Sequence, residues 1–322
     1  MTLIEPLRFE RHFVEKVWGG RSLESALGIA LPEGRTIGET WEIVDRAAEN
    51  SRVAAGEWAG RTLGELMGLH GRELLGRAPA GVGGRFPLLV KYIDPAENLS
   101  VQVHPGDDSH GLIPGAEAKT EAWYIVAAKP SAKLYVGLRP DVTRERFAQV
   151  AAGPGVVDTL LAWDVRAGDC LLVPGGTVHA ISAGVTILEV QQNSDTTYRL
   201  WDWGRAGRET HVEQALEVIR FGAPSLEPVT PRWVRRAEGE MAHLAVSPHF
   251  AMDSLRLRSS VRRSTRDQFQ IYAVLAGAAK LRWSGRDYTL ERGDVWLIPA
   301  CVGEHDIAPV GEVLLVNMCW RR

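Results

Sequence analysis

Between Leu99 and His104 apolar and polar positions alternate strictly. Leu99, Val101 and Val103 fall on one face of a predicted strand, Ser100, Gln102 and His104 on the other. Pro105, which has no amide proton to give a ladder, closes the strand. A second run, Lys119-Thr120-Glu121-Ala122-Trp123-Tyr124, places Lys119, Glu121 and Trp123 on one face. The pattern predicts two adjacent strands that aim Gln102, His104, Glu121 and Lys119 into one cavity, as a metal site with a cation beside it.

The same patterning predicts a β-rich chain. Residues 86–94 form a buried strand that contains Lys91, and strands follow at 122–127, 132–136, 158–163, 170–173 and 186–191. Helical spacing covers 63–75 and 144–151, with Thr143 as N-cap, and a helix at 211–220 carries a capping box of Thr210 and Glu213. Three prolines, Pro224, Pro228 and Pro231, mark a linker, after which strands recur at 269–275, 279–283, 295–298 and 313–317. The segment Gly168-Asp169-Cys170-Leu171-Leu172-Val173-Pro174 repeats as Gly293-Asp294-Val295-Trp296-Leu297-Ile298-Pro299. His179 stands five residues after the first proline, and Glu304 five after the second. The expected fold is mainly β: two cupin (double-stranded β-helix, or jelly-roll) domains with a few short helices. A metal-binding domain over 1–220, a proline-rich linker over 221–231 and a degenerate domain without metal ligands over 232–322 follow from the pattern.

Composition narrows the classes. The 322 residues are 45% hydrophobic and 24% charged, as in ordinary globular proteins. A net charge of -3 without long basic runs argues against nucleic acid. The first dozen residues lack an apolar signal core, and no stretch reaches membrane-spanning length. Cys170, Cys301 and Cys319 form no CxxC motif, so reduced thiols in a cytoplasmic protein are expected. Oligomeric state is open.

His179 lies past a glycine turn, in Pro174-Gly175-Gly176-Thr177-Val178-His179. A lone histidine there is more often structural, but a jelly roll brings it beside His104 and Glu121. Two neutral imidazoles, a carboxylate and the Gln102 amide suit a borderline divalent cation such as Zn2+. Glu189 and Gln191 share a strand face, as supports for the ligands or as surface residues. Arg199, in Asn193-Ser194-Asp195-Thr196-Thr197-Tyr198-Arg199, either clamps an anion or pairs with Asp195 or Asp202. His12, His70, His110, His211, His243, His249 and His305 lack comparable company and are assigned structural or exposed places.

With these motifs in order, the chain resembles the type I mannose-6-phosphate isomerases, metal-dependent cupin enzymes, in their short bacterial form. The likeness runs through Lys16-Val-Trp-Gly-Gly, Gly38-Glu-Thr-Trp-Glu, Phe86-Pro-Leu-Leu-Val-Lys-Tyr-Ile-Asp and Leu99-Ser-Val-Gln-Val-His-Pro. It continues through Lys119-Thr-Glu, Gly176-Thr-Val-His-Ala-Ile and the Asn193–Leu200 motif. The resemblance implies one zinc per chain on Gln102, His104, Glu121 and His179. It implies Arg199 and Lys119 as catalytic residues, with Ser100, Lys91, Lys119 and Arg199 near the phosphate or the reacting carbons of a phosphorylated sugar. Thr120 replaces the family's proline, and Leu200-Trp201-Asp202-Trp203 stands where larger relatives carry an insert and a lysine-bearing segment.

The implied reaction interconverts mannose 6-phosphate and fructose 6-phosphate through an enediol(ate). The proton carrier stays open among a metal-bound water, a carboxylate such as Glu189 and a lysine. Two rivals match the same residues: an Fe(II) cupin dioxygenase, since two histidines and a glutamate also form a facial triad, and a sugar-phosphate-binding cupin without catalysis. A related isomerase with another phosphosugar is a narrower variant.

Overall fold

The computed structural model describes residues 4–109 and 111–320, so His110 and the first three residues lie outside the described residues. Its strands form four antiparallel sheets in two pairs, each pair a flattened barrel. In the first barrel a six-stranded sheet runs in the order His12–Gly20, Ile37–Ile43, Leu88–Ile93, Val185–Gln192, Glu121–Ala128, Cys170–Val173. It faces a five-stranded sheet ordered Tyr198–Trp201, Val101–Val103, His179–Ile181, Lys133–Leu138, Leu160–Asp164.

The two motif strands are therefore not neighbours, as the alternation alone suggested. Val101–Val103 and Glu121–Ala128 belong to opposite sheets. Their polar faces meet across the barrel interior, which produces the same convergence by a different route. The neighbour of Gln102 is His179 itself, paired with it in register. Lys119 precedes its strand, held by its amide N–H to Pro105 O at 2.9 Å.

The second barrel pairs a seven-stranded sheet with a four-stranded one. The seven-stranded sheet begins with Leu7–Arg8, so the first strand joins Val295–Ile298 near the other end of the chain. Ile4, Leu7 and Phe9 pack in one continuous core with Leu63, Val90, Phe269 and Leu297. Arg11 reinforces the seam, donating to Glu42 Oε1 at 2.6 Å and to Gly293 O at 2.8 Å.

Helices are few and cover the sheets. Leu63–Leu75 starts with a capping box of Thr62 and Glu65 and is interrupted at His70. Arg144–Val150 is capped by Thr143. The capping box expected at Thr210 and Glu213 does not form, and Val212–Val218 begins after His211 without a side-chain cap. The reason is local: His211 N donates to Arg199 O at 2.7 Å, which holds the preceding backbone against Tyr198–Trp201.

Candidate metal centre and active site

The site occupies the first barrel's interior, where both sheets turn charge inward. His104 follows its strand, and its position is fixed from three sides. Its carbonyl accepts from Gly176 N at 2.7 Å. Its Nδ1 lies 2.8 Å from Thr196 O. At the same turn a side chain on Gly175 would meet Pro105 O at 2.3 Å, so only glycine admits this approach. Thr196 is held in turn by Ser194 and Glu117, and Asn193 Nδ2 donates to Asp45 O and Phe86 O at 2.8 and 3.0 Å.

His179 repeats the arrangement, with Nδ1 2.9 Å from Thr177 O. Both rings thus use Nδ1–H on a backbone carbonyl and turn the Nε2 lone pair inward, the tautomer that ligates metals. Burial pushes the His179 imidazolium down to about 4 and that of His104 well below the ordinary histidine value, with Lys119 adding to both. Glu121 lies between them, 3.5 Å from His104 Nε2 and 3.4 Å from His179 Nε2. One donor atom from each of the three falls within 4.8 Å of the others, all buried.

Two inward imidazole lone pairs and a carboxylate converging within 4.8 Å are the donor types that hold a divalent metal, so the set fits one. Gln102 is placed where it can add a fourth donor. Its amide nitrogen is placed 3.3 Å from His179 Nε2, and exchange of amide oxygen and nitrogen turns the acceptor inward. Lys119 Nζ, 2.8 Å from Glu121 Oε2 and 3.0 Å from His104 Nε2, competes with a metal for the same lone pairs.

Beyond the donors runs a line of alternating charge. Lys16 Nζ lies 3.8 Å from Glu39 Oε1, and Lys91 Nζ lies 3.9 Å from that oxygen and 3.4 Å from Glu189 Oε1. Lys119 Nζ lies 3.8 Å from Glu189 Oε1. Burial alone would lower the Lys91 ammonium, but Glu189 and Glu39 outweigh it and raise it. Burial and then the Glu121 carboxylate raise Glu189, against Lys91 and Lys119. Burial would raise Glu39 too, yet Lys91 and Lys16 take it below its ordinary value. Glu189 is buried inside rather than on the surface, and its Oε1 accepts no well-directed hydrogen bond.

These groups line a cavity of about 270 Å3, together with Ser100, Trp123, Asp195, Arg199 and Arg208. Arg199 pairs in register with Gln102 and donates from Nη1 to Glu209 O at 2.7 Å, while its buried Nε has no hydrogen-bond partner. It does not take up Asp202, which binds Arg205 and Arg208 at 2.7 and 3.0 Å. Burial and then the nearby Arg208 cation lower the Arg199 guanidinium. The wall therefore holds positive charge that an anion would relieve.

Sequence reasoning did not single out Glu39, Lys16 or Arg208. Glu39 and Lys16 carried a signal, since both lie in the glycine-tryptophan motifs, but Arg208 lies in a polar loop like any other.

A model of the phosphomannose isomerase type I catalytic domain matches residues 7–138. Mannose-6-phosphate isomerase of Streptococcus mutans is 36% identical over 304 residues, covering 92% of this chain and 93% of the relative. Mannose-6-phosphate isomerase ManA of Bacillus subtilis is 34% identical over 322 residues, covering 98% and 99%. The crystal structure of the mannose 6-phosphate isomerase from Bacillus subtilis superposes with a TM-score of 0.88 at 29% identity, over 98% of this chain and 99% of that one. Sequence, fold and the inward-facing donor set agree, and the chain belongs to the type I phosphomannose isomerase family.

Proposed function

We propose that the protein interconverts mannose 6-phosphate and fructose 6-phosphate with one zinc ion per chain, held by Gln102, His104, Glu121 and His179. The observation that carries this reading is the buried His104–Glu121–His179 donor set opening into a cavity walled by arginine and lysine. Bound zinc would supply Lewis acidity, polarising the sugar carbonyl and stabilising negative charge on the enediol(ate) oxygens.

The remaining work falls to side chains. Arg199 and Arg208 hold the phosphate, since the Arg199 Nε lacks a partner and the two cations crowd each other. Lys91 and Lys119, neutralised by carboxylates deep in the cavity, serve the reacting end instead. Ser100, a buried hydroxyl on the Gln102 face, orients a sugar oxygen. Glu189 takes the proton from C2 of the open-chain aldose and returns it to C1, while the O2 hydroxyl proton passes to O1, so that one C–H and one O–H bond break and one of each forms. A buried carboxylate with a raised affinity for protons suits both halves of that exchange. The unpaired Cys170, Cys301 and Cys319 support a cytoplasmic setting.

The test is a coupled assay for fructose 6-phosphate formed from mannose 6-phosphate, before chelation, after it and after zinc is restored. Activity lost and regained with zinc is expected. Oxygen consumption with Fe(II), or saturable sugar-phosphate binding without turnover, would replace this reading by a dioxygenase or a binding protein.

A further inference from the structure

We propose that Glu39, two strands away from Glu189 in the six-stranded sheet, is a positioning residue of the isomerisation, which shares the Lys91 ammonium and so leaves Glu189 free to take the substrate's proton. The inference rests on the proposed function and adds a residue which that reading does not use.

Ile37–Ile43, Leu88–Ile93 and Val185–Gln192 are consecutive strands, and they carry Glu39, Lys91 and Glu189 in turn. Lys91 is the register partner of Glu189 on one side and of Trp41 on the other. Trp41 Nε1 donates to Glu39 Oε2 at 2.7 Å, which leaves Oε1 facing Lys16 and Lys91. The ammonium thus lies between two carboxylates at 3.4 and 3.9 Å, and all three side chains are at most 10% exposed. In such a place an ion pair is weakly screened, and a second carboxylate divides the attraction. Without the Glu39 charge a larger share of the pull of Lys91 falls on Glu189. The carboxylate is then drawn toward the sheet and made a poorer base.

The second barrel supplies a control. Its corresponding register positions hold Met241 for Glu39, Asp253 for Lys91 and Asn317 for Glu189. Where the donor set is gone, the charge line is gone as well.

The test uses the zinc-loaded enzyme and the near-isosteric Glu39→Gln. The expected result is a fall in kcat on the order of 10- to 100-fold, with KM changed less than about threefold and metal content unaltered. Glu39→Asp, which keeps the charge, should recover most of the loss. In a Lys91→Met background Glu39→Gln should cost much less, because the ammonium it shares with Glu189 is absent. Turnover within about twofold of the unaltered enzyme, a loss confined to KM, equal losses for Gln and Asp, or an undiminished effect beside Lys91→Met would each overturn the inference. An unaltered holoenzyme without isomerase activity would overturn the functional reading instead.

Discussion

The two barrels share a fold and differ in what they enclose. Aligned on the Gly-Asp turns and the strand registers, Glu121 corresponds to Gln270, Trp123 to Tyr272 and Glu189 to Asn317. His305 corresponds to His179. It too sets Nδ1 on the carbonyl two residues earlier, here Gly303 O at 3.1 Å. Its register partner is Arg263, where His179 has Gln102. A ligand-like histidine has survived, but its Nε2 meets Tyr272 Oη at 3.0 Å, and a guanidinium stands where the first barrel has an amide. The tautomer-setting contact is thus a property of the fold. What makes a metal site is the company of a carboxylate and a second imidazole.

That comparison can be broken at several points. Glu121→Gln, which gives the first barrel the second barrel's residue, should abolish zinc retention and cut kcat/KM by about 10^3 or more; metal analysis and the coupled assay read both losses. His104→Ala and His179→Ala should do the same, and stoichiometric zinc in both variants would refute the ligand assignment. Arg199→Ala should keep zinc and fold yet lower kcat/KM by about 10^2. An unchanged kcat/KM would remove Arg199 from the site.

Acid should act next. His179 is depressed to about 4 in the fold against about 6.5 in an unfolded chain, so the unfolded state binds the extra proton between those values. Its stabilising contribution to the metal-free protein is complete above pH about 6.5 and is lost as pH falls through about 4, on the order of 3 kcal/mol in all. Urea unfolding of the metal-free protein across that range should show the decline, and His179→Ala should make it shallower, the equally buried His104 supplying the rest. The smallest effect belongs to the second barrel. Tyr272→Phe, which removes the hydroxyl from His305, should cost about 1–2 kcal/mol of stability with zinc content and turnover unchanged. Lost activity there would mean that the barrels are coupled.

Much of this was legible in the sequence because strand alternation is a local property. Ser100, Gln102 and His104 had to share a face, and so did Lys119, Glu121 and Trp123, whichever sheet received them. The repeated Gly-Asp strand announced two barrels. What pairing decides was less legible: the motif strands lie on opposite sheets, and Lys91 and Lys119 meet carboxylates that arrive from Ile37–Ile43 and Val185–Gln192. His305 was hidden by a single extra residue in Pro299-Ala300-Cys301-Val302-Gly303-Glu304-His305, which shifted the count by one. At Thr210 a sound local rule lost to the backbone bond between His211 and Arg199.

The pairing of Leu7–Arg8 with Val295–Ile298 bears on how the molecule is made. Leu7 faces Leu297, so this ladder can close only after residues 295–298 have left the ribosome, some 290 residues after its first partner. Until then the edge of Val295–Ile298 stays open and Ile4, Leu7 and Phe9 lack their apolar partners. The barrel that carries no such His/Glu/His cluster among the described residues is in this sense the clasp of the one that does. Cutting the chain after the first barrel would yield a fragment with every proposed ligand and an unfinished core.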